Sequence, residues 1–91
     1  MNPAPQSPWQ YVYVLNSAKT DGYYVGCTSN LDQRVDEHAR GKVFTTKKML
    51  PVELVYFEAY KTKQQAYERE KSLKQYGSSY GALKRRLGGA G

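Results

Sequence analysis

The chain has a single cysteine, Cys27, in 91 residues, which excludes an intramolecular disulfide and a cysteine-based zinc site. It has no apolar run approaching the ~20 residues needed to span a bilayer and no charged, apolar, small-residue leader. A soluble, cytoplasmic protein is expected. Acidic residues are scarce, eight Asp and Glu against fourteen Lys and Arg, for a net charge of +6 and a pI near 9.5. That balance favours a polyanionic partner, most simply nucleic acid, although many small soluble domains are basic for no such reason. There is no internal repeat and no sign of a second domain, and a core this small is only marginally stable. Residues 1–8 hold Pro3, Pro5 and Pro8 among polar residues and read as a solvated arm. Residues 9–87 form the one domain, and residues 88–91 are a frayed end.

Tyrosine is abundant, with nine in the chain, and the densest stretch organises the rest. Tyr11, Tyr13 and Leu15 alternate with Val12 and Val14, the period of a strand covered on both faces. Asp21 and Gly22 close a loop, and Tyr23, Tyr24 and Val25 form a second strand that stops at Gly26. Trp9, at the mouth of the first strand, reads as a core or rim anchor. Asn30 then caps a helix, with Gln33 completing a capping box. The helix covers about 31–40 and ends at Gly41, a natural C′ residue. Leu31, Val35 and His38 share one face and Arg34 lies at its edge. Singly, His38 reads as a satisfied buried histidine and Arg34 as a surface ion-pair residue. Together they present an imidazole and a guanidinium beside the tyrosine hairpin, and a guanidinium fork suits a phosphate.

Residues 41–50 read as a loop in which Lys42, Lys47 and Lys48 interleave with Phe44, Thr45 and Thr46. Such a stretch can hold phosphates while Phe44 stacks on an unpaired base, or it can be an ordinary solvated connection. Pro51 precedes a third strand, 52–60, whose Glu58 is expected to be solvated. Thr62 with Gln65 forms a second capping box, opening a helix to about residue 75. Its buried stripe is Ala66, Arg69 or Glu70, and Leu73. A carboxylate in that line requires a cation, either Arg34 or a lysine in a structural salt bridge, or a divalent metal. A last helix carries Leu83 and Leu87 inward and Lys84, Arg85 and Arg86 outward.

Tyr11-Val12-Tyr13 and Tyr24-Val25-Gly26, with Arg34 eight residues after that glycine, resemble the signature of the GIY-YIG nucleases. These include homing endonucleases, the excinuclease C N-terminal domain and Slx-type structure-specific endonucleases. Val14-Leu15-Asn16-Ser17 and Glu37-His38-Ala39-Arg40-Gly41 are in the style of the small stand-alone bacterial members and the Slx branch. The resemblance spans about residues 9–87 and implies a fold that is α/β in the mixed, α+β sense. That fold is a small three-stranded antiparallel sheet flanked by helices in the order β-β-α-β-α-α.

It also implies metal-dependent hydrolysis of DNA phosphodiester bonds, with Mg²⁺ or Mn²⁺. Tyr13 would position or deprotonate the attacking water, Arg34 would hold the scissile phosphate, and Tyr24 and His38 would complete the hydrogen-bond frame. The family's metal-binding glutamate lies four residues after an alanine, which selects Glu70 and not Glu68. A phenol with a pKa near 10 needs nearby cations to act as a base at neutral pH, and Arg34, the metal or a lysine is expected to lower it. The asparagine that excinuclease-type members carry about a dozen residues after the glutamate is Ala82 here.

With little surface for reading sequence, the expected substrate is single-stranded or branched DNA, held by Lys42, Phe44, Lys47 and Lys48. A partner protein could supply further specificity. The competing class is a nucleic-acid-binding or partner-recruiting module in which the site is unused. A Cys27–His38 hydrolase is a third reading, but it lacks the oxyanion and orienting groups such chemistry needs.

Overall fold

A computed structural model describes residues 8–75. The arm at residues 1–7, the last helix with Leu83, Leu87 and its basic triplet, Ala82 and the frayed end lie outside the described residues. Six elements follow in order: β1 (Gln10–Ser17), β2 (Tyr23–Thr28), α1 (Leu31–Ala39), α2 (Phe44–Lys47), β3 (Val52–Tyr60) and α3 (Lys63–Gln75). The sheet is antiparallel with strand order β2-β1-β3, so β1 is central and β2 is an edge. The strand β2 runs on to Thr28, beyond its expected end at Gly26.

The central position of β1 explains why Val12, Tyr13, Val14 and Leu15 are all buried. Alternation sends Val12 and Val14 to one face, where Val25 joins them and Ala66 and Leu73 of α3 close the core. Tyr13 and Leu15 project to the opposite face, the side on which α1 packs. The two loops that hold this arrangement are built from short polar side chains. Asp21 takes a left-handed conformation at φ 59°, which Asp tolerates better than most residues. Ser17 is fully buried because its hydroxyl donates to the Met49 carbonyl at 2.6 Å and accepts from the Lys19 and Thr20 amides.

Both helix starts carry their expected caps, with one difference. Thr62 and Gln65 exchange the full reciprocal pair of bonds, Gln65 N to Thr62 Oγ1 at 3.1 Å and Thr62 N to Gln65 Oε1 at 3.2 Å. At α1 the Asn30 side chain accepts from the Gln33 amide, but the Asn30 amide is taken by Thr28 Oγ1, and Gln33 bonds the Asn30 side chain instead. The end of α1 is a Schellman turn. Gly41, at φ 74°, donates to the His38 carbonyl and Lys42 to that of Glu37.

That turn feeds a segment expected to be a loop, which instead contains the single-turn helix α2. The physical reason is Thr46: it is fully buried and anchors the turn from inside, while Phe44, Lys47 and Lys48 stay exposed. Glu58 also departs from expectation. It is not solvated but accepts Arg69 Nε at 2.9 Å and Arg69 NH2 at 3.2 Å, with the hydroxyls of Tyr56 and Tyr60 at 2.7 and 2.6 Å. Burial would raise its pKa, but Arg69 and the two phenols outweigh burial and hold it below the usual carboxylate value. The pair ties β3 to α3. Trp9 is 41% exposed, a place at the rim and not in the core.

Candidate active site

Tyr13 reaches the site from the centre of the sheet and is 1% exposed. Its register partner on β2 is Gly26, and a Cβ there would collide with the phenol, so glycine is what leaves room for the ring. The Tyr13 hydroxyl lies 2.8 Å from His38 Nε2, and His38 Nδ1 lies 2.7 Å from Thr46 Oγ1. Thr46 Oγ1 in turn points its proton at the Val43 carbonyl, 3.5 Å away. The assignment that satisfies this chain is Nδ1–H donating to Thr46 and Nε2 accepting from Tyr13. Burial, and then the charge of Arg34, lower the His38 pKa, so the ring is neutral, as the assignment requires.

Tyr24 completes an aromatic cluster. Its ring centroid is 5.1 Å from that of His38 and 6.3 Å from that of Tyr13, distances at which rings interact favourably. Because β2 is an edge strand, the last turns of α3 reach this cluster from beyond the sheet. Lys74 Nζ lies 5.6 Å from the Tyr24 centroid and 2.9 Å from Glu70 Oε2. Glu70 is half-buried at 16% side-chain exposure, and the cation its position demands is Lys74, the lysine alternative among those read from the sequence. Arg34 is held by Glu37 through NH1 at 2.9 Å and is 38% exposed. Five donors on a guanidinium leave others for a phosphate.

Tyr13 contradicts one expectation. Its pKa is pushed up to about 12, not down. Burial is the main cause, Tyr24 and Glu70 add to it, and the hydrogen bond and charge of Arg34 offset only part. The phenol is therefore a neutral proton carrier in this state. The Cys27–His38 pairing also fails. Burial, with Glu70 nearby, pushes the thiol up to about 12, the thiol donates to the Ala66 carbonyl at 3.3 Å, and both His38 nitrogens are engaged elsewhere.

The five residues singled out from the sequence, Tyr13, Tyr24, Arg34, His38 and Glu70, thus meet through Tyr13, His38 and the Tyr24–Lys74–Glu70 contacts. Lys42, Phe44, Lys47 and Lys48 are exposed, Phe44 at 84%, beside the turn that Thr46 anchors. Sequence reasoning did not single out Thr46 as a buried partner of His38, and it allowed Glu70 a lysine partner without naming Lys74. The four-residue spacing from Glu70 to Lys74 was a legible signal. For Thr46 there was none, because a hydroxyl in a lysine-rich stretch reads as solvated. Among the described residues no group of three or more His, Cys, Asp or Glu is placed to hold a metal ion.

The GIY-YIG catalytic domain model matches residues 10–87. The UPF0213 protein of Haloquadratum walsbyi is 35% identical over 69 residues, covering 75% of this chain and 76% of that protein. That of Natronomonas pharaonis is 42% identical over 65 residues, covering 70% and 75%. The solution NMR structure of the UPF0213 protein BH0048 from Bacillus halodurans superposes with a TM-score of 0.51 at 28% identity, covering 84% of this chain and 83% of that one. All three relatives are UPF0213 proteins, and their names do not bear on the Slx branch. With the model matching residues 10–87 and relatives at 35% and 42% identity over most of the chain, the chain belongs to the GIY-YIG catalytic domain family.

Proposed function

We propose that this protein is a metal-dependent DNA endonuclease acting on single-stranded or structured DNA. Membership of the family implies nuclease-type chemistry. The observation that carries the finer reading is the Tyr13 hydroxyl, buried and bonded to a neutral histidine whose other nitrogen is seated on Thr46.

A phenol at about 12 cannot be ionised in advance, so Tyr13 works as a relay. As a water oxygen attacks phosphorus, its proton passes to Tyr13 Oη while the Tyr13 proton moves to His38 Nε2. The imidazolium so formed is stabilised by the Nδ1–H bond to Thr46. Arg34, its orientation set by Glu37, meets the charge that builds on the phosphate oxygens as the bond to the leaving 3′ oxygen breaks. Tyr24 packs against both relay rings and would hold them in register.

Glu70 fits a divalent metal. Its carboxylate is a hard oxygen donor, half-buried, and already paired with a cation. Mg²⁺ is commonly bound by one carboxylate together with substrate phosphate oxygens and water. Glu70 would hold Mg²⁺ or Mn²⁺, and the ion would supply stabilisation of the leaving oxygen. Lys42, Lys47 and Lys48 would hold backbone phosphates and Phe44 would stack on an unpaired base. The +6 charge supports such a partner.

Labelled single-stranded, duplex and branched oligonucleotides, incubated with Mg²⁺ or Mn²⁺ and in parallel with EDTA, test the reading. Cleavage that requires metal and disappears in Tyr13→Phe supports it. Tight binding with no cleavage in any metal assigns the protein to the binding-module class.

A further inference from the structure

We infer that the groove between the edge strand β2 and helix α3 is a binding track for single-stranded DNA, leading to Glu70. It rests on the reading of the site as one that acts on DNA phosphodiesters. A cleft of about 680 Å³ opens there, lined by Gln10, Thr28 and Ser29 on the strand side and by Lys63, Tyr67 and Lys71 on the helix side. A second depression, lined by Tyr67, Glu70, Lys71 and Lys74, continues it into the candidate site.

The helix side has a regular basis. Positions 63, 67, 71 and 74 fall on one stripe of α3, and they are Lys, Tyr, Lys and Lys. Neither packing nor pairing explains Tyr67: it is a large aromatic, 65% exposed, on a helix whose core contacts are made by Ala66 and Leu73. A ring flanked by ammonium groups at one-turn spacing is the combination that stacks a base while cations follow its backbone. From Lys63 to Lys74 the helix rises ~16 Å at ~1.5 Å per residue, which spans about five nucleotides at the ~3.4 Å spacing of a stacked strand. Thr28, Ser29 and Gln10 add hydroxyl and amide groups of the kind that bond phosphates.

Charge and continuity select the occupant. With Lys74 and Glu70 paired to each other, Lys63 and Lys71 line the track against one outward carboxylate, Glu68. At its inner end the track meets Lys74, which touches both Glu70 and the Tyr24 ring. The Lys42–Lys48 segment joins the same site through the Thr46–His38 bond. A strand crossing the site can therefore engage both surfaces. A duplex offers no exposed base faces to Tyr67.

The test is fluorescence anisotropy of the full chain with a labelled oligothymidylate in EDTA, where no cleavage occurs. Tyr67→Ala should weaken binding by about fivefold to a hundredfold, the scale of one lost base stack, and Tyr67→Phe should restore it. Lys63→Ala with Lys71→Ala should flatten the slope of log affinity against log salt by about 1.4, two phosphate contacts at ~0.7 each. Glu68→Lys should tighten binding. With bromodeoxyuridine in the strand, photocrosslinking should map to Tyr67. All these side chains are exposed, so thermal melts should stay at the wild-type value. Unchanged affinity and salt slope in the groove variants, or crosslinks confined to Phe44, would overturn the track. So would equal losses for duplex and single strand. A wild-type protein that binds through the groove but cuts nothing with Mg²⁺ or Mn²⁺ would overturn the nuclease reading alone. One that cuts normally in all the groove variants would overturn the track alone.

Discussion

The phenol of Tyr13 rests against the bare backbone of Gly26, its register partner on the neighbouring strand, in the space a β-carbon would occupy. The GIY-YIG hairpin therefore does more than carry a tyrosine to the site. It sets the height of the hydroxyl above the sheet, and that height makes the 2.8 Å bond to His38.

Gly26→Ala should lower both stability and activity. Forcing a methyl group against a buried ring costs about 1 to 3 kcal/mol, and the ring can yield only by leaving His38. The expected result is a lower melting temperature together with a loss of cleavage of at least a hundredfold at temperatures where the variant is still folded. Wild-type turnover in a folded Gly26→Ala protein would show that the Tyr13–His38 bond is not needed for the chemistry.

Tyr13→Phe keeps the ring but strips His38 Nε2 of its partner in a buried place. The cost of an unsatisfied buried acceptor, about 1 to 3 kcal/mol, should appear in denaturant unfolding. Turnover should fall by a hundredfold or more as the relay is cut. In the wild type, ultraviolet titration should show that Tyr13 and Tyr60 resist ionisation to about pH 12, and Tyr13→Phe should remove the Tyr13 share of that resistance and leave the Tyr60 share. A phenol ionising near neutrality at this position would be incompatible with the relay.

Glu70 and Lys74 should behave oppositely towards metal. Glu70→Ala is expected to abolish cleavage and leave single-strand binding intact or slightly stronger, because it removes a metal ligand and a negative charge near a polyanion. Lys74→Ala frees the carboxylate from its 2.9 Å partner and should tighten Mn²⁺ binding in calorimetry without DNA, since the ion no longer competes with an ammonium. If Glu70→Ala cuts at the wild-type rate, the metal belongs elsewhere or is not used. If it lowers the melting temperature strongly in the absence of metal, the Glu70–Lys74 pair is structural first.

The Glu58–Arg69 clamp should make stability sensitive to acid. The folded-state pKa of Glu58 lies below its ordinary 4.5, so between the two values the unfolded chain binds a proton that the folded chain does not. The clamp's contribution is complete above the unfolded value and is lost as pH falls through the depressed one. Glu58→Gln should reduce stability at neutral pH by about 1 to 3 kcal/mol, the scale of hydrogen bonds to a charged group, and flatten the acid limb of a plot of unfolding free energy against pH. An unchanged acid limb would place the sensitivity in other carboxylates.

Much of the scaffold was legible from residue order alone, because the signals that define it act over a strand or a single helical turn. The alternation from Tyr11 to Leu15, the caps at Asn30 and Thr62 and the left-handed Gly41 each depend on neighbours a few residues away. The order of Tyr13, Tyr24, Arg34, His38 and Glu70 was legible in the same way, and the fold brings these side chains near one another. Tertiary structure alone decided their physical states. Whether Tyr13 is a phenolate or a neutral phenol depends on how deeply the fold buries it, with the charge of a group as distant in sequence as Glu70 adding to that effect, and burial outweighed Arg34. Glu58 became a clamp because Arg69, eleven residues on, turned towards it with two phenols. Thr46 folded a short helix out of an expected loop because His38 required a partner. Periodicity and capping are local sums and can be read in order, whereas burial and charge pairing are sums over neighbours in space, and those neighbours exist only once the chain has folded.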